Sequence, residues 1–523
     1  MDASMFSEAD RGQIRDLGLS KEEVLSQLNV FKEPPPRLRL NRPCTIRDGI
    51  RVIPDEELPA ISRLYQEAAR EGRCLKFVPS SGTASRMLQA HLWFLNQHET
   101  PDRQGVAEMA ANEDGRFAEM RRFVDEIHRF AFFEDLAHAM GVGPSQLQAV
   151  MRGGRLRECL EVLLTPRGLN YAALPKALFK FHRYPWGYRT ALEEHLVEAA
   201  GYVKDDRGIC RLHFTTSPEH VELFETALKE VMPRYERECG ARFEVGLSVQ
   251  KPSTQTISVD LEGRPFRLSD GSLHFRPGGH GALLENLQDL QGDIVFIKNI
   301  DNIVPDRLKP PTFIWKEALA GHLVRVQRRV FSFLDRLMQG DGGAPFLDEV
   351  TAYAVEDLFL ALPGQWRSAR AKEKRDFVIS ALDRPLRVCG MVRNQGEPGG
   401  GPFWVEDSER NLSLQIVESV QVDHDSAMQR GLWNAATHFN PVDLVCGVRD
   451  RLGAPFDLRR YQDPRAVLIT RKSKDGLDLN AMELPGLWNG AMAKWNTIFV
   501  EVPAVTFNPV KALSDLLREA HQA

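Results

Sequence analysis

The sequence predicts an α/β fold in which a mixed, mostly parallel sheet is flanked by helices, with a helical insertion and a smaller α+β region towards the C-terminus. Apolar strand-like segments alternate with helical segments between residues 174 and 306, and strands separated by helices of roughly ten to fifteen residues are typical of parallel sheets. Residues 105–168 carry apolar side chains at helical spacing, which predicts the insertion. Residues 385–475 are richer in short strands and glycine, which predicts the α+β region.

The N-terminal region, residues 1–70, is predicted to be an adaptor made of helix and extended chain. Ser20 and Glu23 have the spacing of a helix-capping box. The stretch "EPPPRLRLNRP" that follows cannot be helical, because proline lacks the backbone N–H and clashes with the preceding turn. The core, predicted over residues 71–383, then opens with the apolar strand in "CLKFVP".

The order of elements along the core and the C-terminal region follows from the same patterns. Strands are predicted at "CRLHFTTS", at "FEVGLSVQ" and at residues 294–297, with helices between them, while "LPKALFKFH" is compatible with helix or strand. A second helical block covers about residues 316–382. Residues 384–523 complete the core with strands such as "VCGMVRN", and the chain closes with a strand that leads into a helix.

Composition and charge exclude several classes of function. The 523 residues carry a formal net charge of −5, whereas a nucleic-acid polymer would require a basic excess, so any nucleotide partner is expected to be a small molecule. The 7 cysteines are odd in number and lack CxxC spacing, so neither a disulfide framework nor a zinc site is expected. The expected location is the cytoplasm, where thiols stay reduced. The N-terminus has no apolar signal segment, and no apolar run is long enough to predict a membrane span.

The first candidate for ligand chemistry is "FVPSSGTASRM", residues 77–87. A strand, a loop of small residues and a helix N-terminus together present backbone N–H groups to an anion, and Arg86 can add a charge-assisted contact. The segment is neither a Walker A loop nor a GxGxxG motif. A tight strand-to-helix turn without a ligand accounts for it equally well.

Two further segments place a lysine where it could neutralise phosphate. Lys176 lies in "LPKALFKFH", and Lys511 follows Asn-Pro-Val at a predicted strand-to-helix junction in "TFNPVKALSDLL". Lysine is a common point-charge binder of phosphate. The alternatives are a solvated Lys176 beside an apolar stripe and a C-terminal docking helix that carries a solvated Lys511. A third segment, "HFTTSPEH", is better explained as ordinary helix capping.

Residues 276–306 combine a glycine-flanked histidine, a short helix and a buried strand that runs into "NIDN". Gly278, Gly279 and Gly281 permit close approach of a ligand to the main chain. Asp301 follows the C-terminal end of the strand, where open α/β sheets bind ligands, and a carboxylate there suits Mg²⁺. The alternative is an Asx turn formed by Asn299, Asp301 and Asn302.

Taken in order, these motifs resemble those of the UDP-sugar pyrophosphorylases, which are nucleotidyltransferases with a GT-A, Rossmann-like fold. The resemblance rests on "SSGTASR" after the first strand, on "PGGHG", on "NIDN" and on "PVKALSDLL". It spans most of residues 75–517 as short motifs, and their combination is more specific than any one of them. The whole chain is also similar to a bacterial family of about this length, DUF4301.

The resemblance implies Mg²⁺-dependent transfer of a nucleoside monophosphate, most readily UMP, from a nucleoside triphosphate to a sugar 1-phosphate, with release of pyrophosphate. It makes Arg86, Lys176 and Lys511 the catalytic residues and Asp301 the Mg²⁺ ligand. The residues that it assigns to the nucleotide are Ser81, Gly82, Thr83, Gln250, Gly278, Gly279, His280 and Gly281. On the sugar-phosphate side, the candidates in the later loops are Arg393, Asn394, Glu397 and Asn489.

The sequence also departs from the family pattern. Ser80 and Ser81 stand where the first loop usually has two glycines, and the insertion separates that loop from Lys176 by an unusually long stretch. Two alternatives therefore stay open. One is a glycosyltransferase-type enzyme on the same fold, and the other is a non-catalytic nucleotide-sugar-binding protein.

Overall fold

The structure, a computed structural model, describes residues 5–33, 37–97, 115–340, 343–396 and 399–522. Its contacts form two compact units, each assembled from three stretches of the chain. Unit 1 spans Met1–Phe77, Ser248–Ile297 and Glu317–Ala504, and unit 2 spans Val78–Leu247, Lys298–Lys316 and Val505–Ala523. The functional division at residues 70 and 383, which follows chain order, stays a prediction.

The strands of the described residues, numbered in chain order, are β1 (Arg39–Pro43), β2 (Thr45–Ile46), β3 (Gly49–Arg51), β4 (Cys74–Pro79), β5 (Lys180–Tyr184), β6 (Gly187–Thr190), β7 (Ile209–Thr216), β8 (Arg242–Val249), β9 (Thr256–Ile257), β10 (Phe275–Arg276), β11 (Ile294–Lys298), β12 (Leu386–Arg393), β13 (Gly401–Glu406), β14 (Leu412–Val417), β15 (His438–Phe439), β16 (Asp443–Gly447), β17 (Leu468–Lys474), β18 (Leu477–Glu483) and β19 (Asn496–Glu501).

The α-helices of the same residues are α1 (Glu8–Asp16), α2 (Lys21–Val30), α3 (Leu58–Arg70), α4 (Gln89–Asn96), α5 (Gly115–Asp125), α6 (Phe133–Ala139), α7 (Pro144–Val150), α8 (Leu156–Leu164), α9 (Ala191–Tyr202), α10 (Val221–Cys239), α11 (Leu283–Asp289), α12 (Lys309–Met338), α13 (Ala344–Glu356), α14 (Ala371–Leu382) and α15 (Ala427–Asn434). Among the described residues, no helix combines the length and the apolarity that a membrane span requires.

Unit 1 contains a mixed sheet in which the neighbouring strands are β2, β3, β19, β12, β16, β11 and β4. The pairs β2–β3, β3–β19, β19–β12 and β11–β4 are parallel, and β12–β16 is antiparallel. The predicted mixed, mostly parallel α/β sheet is thereby confirmed. Its central strands carry fully buried apolar side chains, among them Val295, Ile297 and Phe499, because a sheet covered by helices removes both faces from water.

The predicted capping box at the start of α2 is confirmed. The Glu23 N–H donates to Ser20 Oγ at 3.1 Å, and the Ser20 N–H donates to Glu23 Oε2 at 2.7 Å. The strand-rich α+β region is also present in unit 1, as the antiparallel sheet β1–β13–β14 and the β17–β18 hairpin. The strands β13, β14, β17 and β18 lie between the core strands β12 and β19 in the sequence, as the strand-like and glycine-rich pattern predicted, whereas β1 comes from the N-terminal region.

Unit 2 contains the helical insertion, observed as α5 to α8 over residues 115–164. The predicted insertion began at residue 105, and its first residues lie outside the described part of the chain. A chain of aromatic contacts continues from the insertion to Phe179, the residue directly before β5. The ring centroids of Phe132 and Tyr171 are 5.4 Å apart, and those of Tyr171 and Phe179 are 4.6 Å apart.

One local prediction is wrong. No α-helix follows β19 in the described residues, since the C-terminal segment forms only 3₁₀ turns at Leu513–Leu517 and Glu519–His521. The chain is extended at Arg518 between the two turns, and side chains take carbonyls that a longer helix would use: the Leu516 carbonyl accepts from Gln522 Nε2, and the Leu517 carbonyl accepts from Arg129 Nη2. The helix predicted after the first loop is present as α4, but a 3₁₀ turn (Ala84–Arg86) lies between it and the loop.

Candidate functional site

The predicted site residues divide between the two units. Unit 2 contains the candidates for phosphate and metal chemistry, which are Ser81, Gly82, Thr83, Arg86, Lys176, Asp301 and Lys511. Unit 1 contains the candidates for the base and the sugar, which are Gln250, Gly278, Gly279, His280, Gly281, Arg393, Asn394 and Asn489. Glu397 lies outside the described residues.

The centre of the site in unit 2 is a carboxylate oxygen shared by two lysines. Lys176 Nζ donates to Asp301 Oδ2 at 2.8 Å, and Lys511 Nζ donates to the same oxygen at 2.9 Å. The three residues are far apart in sequence, since 125 residues separate Lys176 from Asp301 and 210 separate Asp301 from Lys511. The structure therefore brings together three residues that the sequence motifs singled out independently.

A turn and the C-terminal segment hold Asp301 in this position. After β11 the Asn302 N–H donates to the Asn299 carbonyl at 3.2 Å, which closes a backbone turn. The Val510 N–H donates to the Asp301 carbonyl at 3.1 Å, and the Asn508 N–H donates to Asn302 Oδ1 at 2.9 Å. The polar strand end is thus partly satisfied by the lysines and by the C-terminal segment, while Asp301 Oδ1 and Asn302 Nδ2 have no hydrogen-bond partner among the described residues. The turn at 299–302 closes through backbone atoms.

The Lys176 segment is joined to the first loop. The Lys176 N–H donates to the Gly82 carbonyl at 3.2 Å, and the Ala84 N–H donates to the Leu174 carbonyl at 3.1 Å. Before the loop, Ser80 is buried against Thr215 at the end of β7, with Ser80 Oγ donating to the Thr215 carbonyl at 2.6 Å. Ser80 therefore serves the strand end, and it does not face solvent.

The loop that follows Ser80 is open to solvent. Gly82, Thr83 and Arg86 are exposed, and a Cβ on Gly82 would meet no atom within 4 Å. An anion could therefore approach the main chain of this loop, which lies beside the segment that carries Lys176. The assignment of Ser81, Gly82, Thr83 and Arg86 to a triphosphate stays a prediction.

The two lysines differ in their environment. The Lys176 side chain is 13% exposed and also donates to the Val510 carbonyl, whereas the Lys511 side chain is 59% exposed. Burial lowers the pKa of Lys176 below its ordinary value, against the opposite effect of the Asp301 carboxylate. Lys176 is therefore held in place by buried contacts, while the exposed Lys511 side chain can leave Asp301 for a ligand by rotation.

The Asp301 carboxyl is ionised in this environment. Burial alone would raise its pKa, but the ammonium groups of Lys176 and Lys511 outweigh burial and hold the pKa below its ordinary value. With all three groups charged, the cluster has a net charge of about +1. A cluster of this sign attracts a phosphate rather than a free cation.

The donor set fits Mg²⁺ in a restricted sense. Asp301 Oδ1 is buried and has no hydrogen-bond partner among the described residues, so one carboxylate oxygen is available. Among all the residues that the structure describes, no group of three or more His, Cys, Asp and Glu side chains could hold a metal ion. Mg²⁺ is commonly bound by one or two carboxylates together with substrate phosphates. The residues therefore suit Mg²⁺ that arrives with a phosphate-bearing ligand.

Asp515 is a residue that sequence reasoning missed. Its Oδ2 accepts the backbone N–H of Lys511 at 2.6 Å and that of Ala512 at 2.8 Å, and its Oδ1 pairs with Arg518. The side chain thus fixes the turn directly after Lys511. The available signal was the aspartate in "KALSD", whose three-residue spacing from Ala512 is that of the second half of a capping box.

Replacement of Asp515 with alanine is expected to release this turn and to lower the free energy of unfolding by about 1–3 kcal/mol, because two partly buried N–H groups lose a charged acceptor. Urea unfolding of the purified variant measures the loss. Asp515→Asn keeps one acceptor oxygen and serves as the matched control, with a smaller loss. An unchanged midpoint in Asp515→Ala would show that water replaces the carboxylate without cost.

His220 is a second residue whose role the sequence did not indicate. His220 Nε2 lies 3.0 Å from the Ala173 carbonyl oxygen, and His220 Nδ1 lies 2.7 Å from Ser217 Oγ. The contact to Ala173 supports the segment that leads to Lys176. The motif "HFTTSPEH" was explained as capping. Ser217 does occupy the N-cap position of the 3₁₀ turn Pro218–His220, but its side chain makes no capping hydrogen bond and contacts His220 instead. His220 in turn joins the end of β7 to the lysine segment.

In unit 1, the glycine turn at 278–281 packs against the segment 484–488. The Leu484 N–H donates to the Gly278 carbonyl at 2.9 Å. A Cβ on Gly281 would lie 2.3 Å from the Pro485 carbonyl oxygen, so only glycine fits there. Gln250 donates to the Gly279 carbonyl at 3.3 Å. At Gly281 the segment 484–488 makes the close approach to the main chain that glycine permits.

His280 is held in one tautomer. Its Nδ1 accepts the Leu487 N–H at 3.1 Å, and its ring stacks on Trp488 with a centroid distance of 4.2 Å. Burial lowers the pKa of His280 to about 4, so the ring is neutral near pH 7. The proton therefore resides on Nε2, which lies 3.7 Å from Glu418 Oε1. Assignment of this turn to a nucleotide base stays a prediction.

The sugar-side candidates make contacts within unit 1. Arg393 pairs with Glu501 at 2.6 Å, and Asn394 Oδ1 accepts the Gly396 N–H at 2.9 Å. Asn489 is buried and donates to the Ile416 carbonyl at 2.9 Å. Each contact has a structural explanation, and a role in sugar binding stays a prediction for all of them.

Comparisons with known proteins identify a family and a set of similar structures. A family model described as "Domain of unknown function (DUF4301)" matches residues 7–522. No curated protein matches the sequence. Similar solved structures include UDP-glucose pyrophosphorylase from Leishmania major, with 12% identity and a TM-score of 0.46 over 99% of this chain and 79% of that one.

Two structures from Trypanosoma brucei are similar to a comparable degree. One is a UDP-glucose phosphorylase, with 12% identity and a TM-score of 0.46 over 97% of this chain and 77% of that one. The other is a uridine diphosphate N-acetylglucosamine pyrophosphorylase in complex with an inhibitor. It has 12% identity and a TM-score of 0.47 over 98% of this chain and 79% of that one.

Proposed function

The chain belongs to the DUF4301 family, and we propose that it is a nucleotidyltransferase that transfers a nucleoside monophosphate from a nucleoside triphosphate to a sugar 1-phosphate. UTP is the first candidate for the triphosphate. The observation that carries the proposal is the pair of lysines on Asp301 Oδ2, at 2.8 and 2.9 Å, beside an exposed loop of small residues. The order of the sequence motifs supports it independently.

The chemistry requires charge neutralisation more than proton transfer. An oxygen of the sugar 1-phosphate attacks the α-phosphorus of the triphosphate, a new P–O bond forms, and the bond to the β-phosphate oxygen breaks to release pyrophosphate. The attacking phosphate is already ionised at neutral pH, so no general base is needed. Catalysis of this kind depends on positioning and on stabilising the charge that develops at phosphorus.

The residues of unit 2 are proposed to have different roles in charge neutralisation, which follow from how exposed their side chains are. Lys176 is fixed by Asp301 and by the Val510 carbonyl, and its segment is joined to the Gly82 loop, so its ammonium group can neutralise a phosphate bound there. Lys511 is free to exchange its carboxylate partner for a phosphate oxygen, because most of its side chain is exposed. Asp301 Oδ1 would hold Mg²⁺, which when bound neutralises phosphate charge. Arg86 is exposed and can reach an anion at the same loop.

The proposal is tested by pyrophosphate release from the purified chain. A panel of nucleoside triphosphates is combined with a panel of sugar 1-phosphates in the presence of Mg²⁺, and each mixture is compared with the same mixture lacking the sugar phosphate. We expect release only when both substrates are present. Binding of UTP with Mg²⁺ in a titration, without release from any pair, would instead support a non-catalytic nucleotide-sugar-binding protein.

A further inference from the structure

The helical insertion of unit 2 contacts the C-terminal segment that carries Lys511. Glu119 on α5 accepts the Ser514 N–H at 2.7 Å. Arg129, which follows α5, donates from Nη2 to the Leu517 carbonyl at 2.8 Å and from Nε to Gln522 Oε1 at 3.3 Å. Two of these three contacts are made to the main chain of the segment, within a few residues of Lys511.

The C-terminal segment depends on such contacts for its position. It forms two short 3₁₀ turns, Leu513–Leu517 and Glu519–His521, and turns of this length have little stability of their own. Leu513 and Leu516 are buried, and the Leu513 N–H donates to the Met87 carbonyl at 3.2 Å. The side of the segment that meets Glu119 and Arg129 is held by charged side chains instead.

A second anchor lies at the end of the segment. His521 is buried, and its Nδ1 lies 3.0 Å from Nε2 of His182 on β5. His182 Nδ1 lies 2.8 Å from the Glu194 carboxylate on α9. The segment is therefore attached beyond Lys511 at its middle by the insertion and at its end by β5, while Asn302 holds Asn508 before Lys511.

We infer that the helical insertion is a dock for the C-terminal segment, and that Glu119 and Arg129 are positioning residues for Lys511. The inference rests on the proposed function for the role of Lys511, and the docking itself does not. In this view the insertion has a structural role within unit 2: it contacts the turn after Lys511 and keeps the Lys511 ammonium group within reach of Asp301. Glu119 and Arg129 act through the main chain and need not touch a substrate.

Charge makes these contacts stronger than ordinary surface hydrogen bonds. Glu119 presents a carboxylate to a backbone N–H, and Arg129 presents a guanidinium to a carbonyl while its Nη1 pairs with Glu126. Hydrogen bonds to charged groups contribute more than neutral ones. Loss of both contacts should therefore raise the open population of the segment about tenfold, which corresponds to about 1.4 kcal/mol.

The test uses the full chain with Glu119→Ala and Arg129→Ala combined. Limited trypsin digestion after Lys511 and Arg518, followed by mass spectrometry, reports the open population of the segment when reclosing is fast. We expect cleavage at these bonds to accelerate about tenfold. The kcat of pyrophosphate release should also fall about tenfold, with KM little changed, because Lys511 is held less precisely even in the closed segment and loses its contact in the transition state. The open population itself stays small, so it contributes little to this fall.

Two controls separate positioning from general loosening. Arg152 lies on the same insertion and pairs with Asp125 at 2.5 Å, so Arg152→Ala should leave both readouts unchanged. Glu119→Gln, combined with Arg129→Ala in place of Glu119→Ala, keeps a neutral acceptor for the Ser514 N–H and should restore part of the protection. Circular dichroism with a thermal melt establishes that each variant is folded at the assay temperature.

The outcomes distinguish this inference from the proposed function. Absence of pyrophosphate release in the parent protein would count against the proposed function, while trypsin cleavage would still decide whether the insertion docks the segment. Unchanged cleavage in the folded double variant overturns the inference. Equal acceleration in Arg152→Ala overturns it as well, and accelerated cleavage with an unchanged kcat overturns the positioning role.

Discussion

Replacement of Asp301 with asparagine is expected to abolish Mg²⁺-dependent exchange of pyrophosphate into a nucleoside triphosphate while the fold is retained. Asparagine preserves the size of the side chain but removes the charge that holds two ammonium groups on Oδ2. It also removes the carboxylate oxygen suited to Mg²⁺. The loss of one preorganised electrostatic contact commonly costs about a hundredfold or more in rate, so exchange by this variant should fall by at least that factor.

Stability provides a second readout of the same change. Lys176 is 13% exposed, and with asparagine at position 301 its ammonium group would keep the Val510 carbonyl and at most a neutral amide oxygen as partners. Removing one partner of a buried ion pair is more damaging than the pair is stabilising, because a buried charge is left without compensation. The free energy of unfolding in urea should therefore fall by about 3 kcal/mol, with far-UV circular dichroism unchanged in native buffer.

A matched control is available in Asp125, which pairs with Arg152 at the surface of the insertion and whose side chain is 48% exposed. Asp125→Asn changes the same functional group and should leave exchange unaltered, since exposed ion pairs contribute little. Full exchange activity in Asp301→Asn would remove Asp301 from the proposed role. Normal exchange combined with lowered stability would identify the carboxylate as a structural partner of the lysines.

Much of the fold could be predicted because the signals are local. Apolar segments of strand length separated by helices indicated a parallel sheet, and the buried strand β11 was identified from residues 294–297. The membership in the DUF4301 family, expected from the motifs, is confirmed by the match over residues 7–522. These features depend on residue types within one segment, or on motif order, which a single sequence contains.

The main failure occurs where distant segments compete for backbone groups. The C-terminal residues have helical spacing, but Arg129 and Gln522 take carbonyls that a longer helix would need. Arg129 is remote in sequence, and no periodicity within the segment indicates the direction of its side chain. At Gly281 the structure adds a neighbour that the sequence did not indicate, the Pro485 carbonyl, while the role of this turn in ligand binding stays a prediction.

The site itself was predicted in composition but not in arrangement. Lys176, Asp301 and Lys511 were each singled out by a motif, yet nothing local indicates that both lysines share one oxygen. The contrast between a buried Lys176 and an exposed Lys511 arises because the Val510 carbonyl lies against the Lys176 ammonium. That contact depends on where the C-terminal segment returns to the core of unit 2.

Replacement of Lys511 with alanine is expected to lower kcat about a hundredfold with little change in KM. Lys511 should move from Asp301 to a phosphate oxygen as negative charge develops, so its contribution belongs to the transition state. A change of this kind lowers kcat and kcat/KM by similar factors. Steady-state measurement of pyrophosphate release with saturating and limiting sugar 1-phosphate separates the two constants.

Because of the environment of Lys511, its replacement should change kcat without a large change in stability. Its side chain is 59% exposed, and Asp301 keeps Lys176 as a partner when Lys511 is removed, so the loss of stability should be at most about 1 kcal/mol.

Lys511→Arg is the matched control: it keeps the charge but changes the shape of the donor, and it should recover part of the lost kcat. Lys176→Ala differs in kind, because it leaves an internal cavity and should lower stability and rate together. An unchanged kcat in Lys511→Ala would instead assign this lysine to the support of the C-terminal segment, and the charge at the phosphate would then have to come from Lys176 and Arg86.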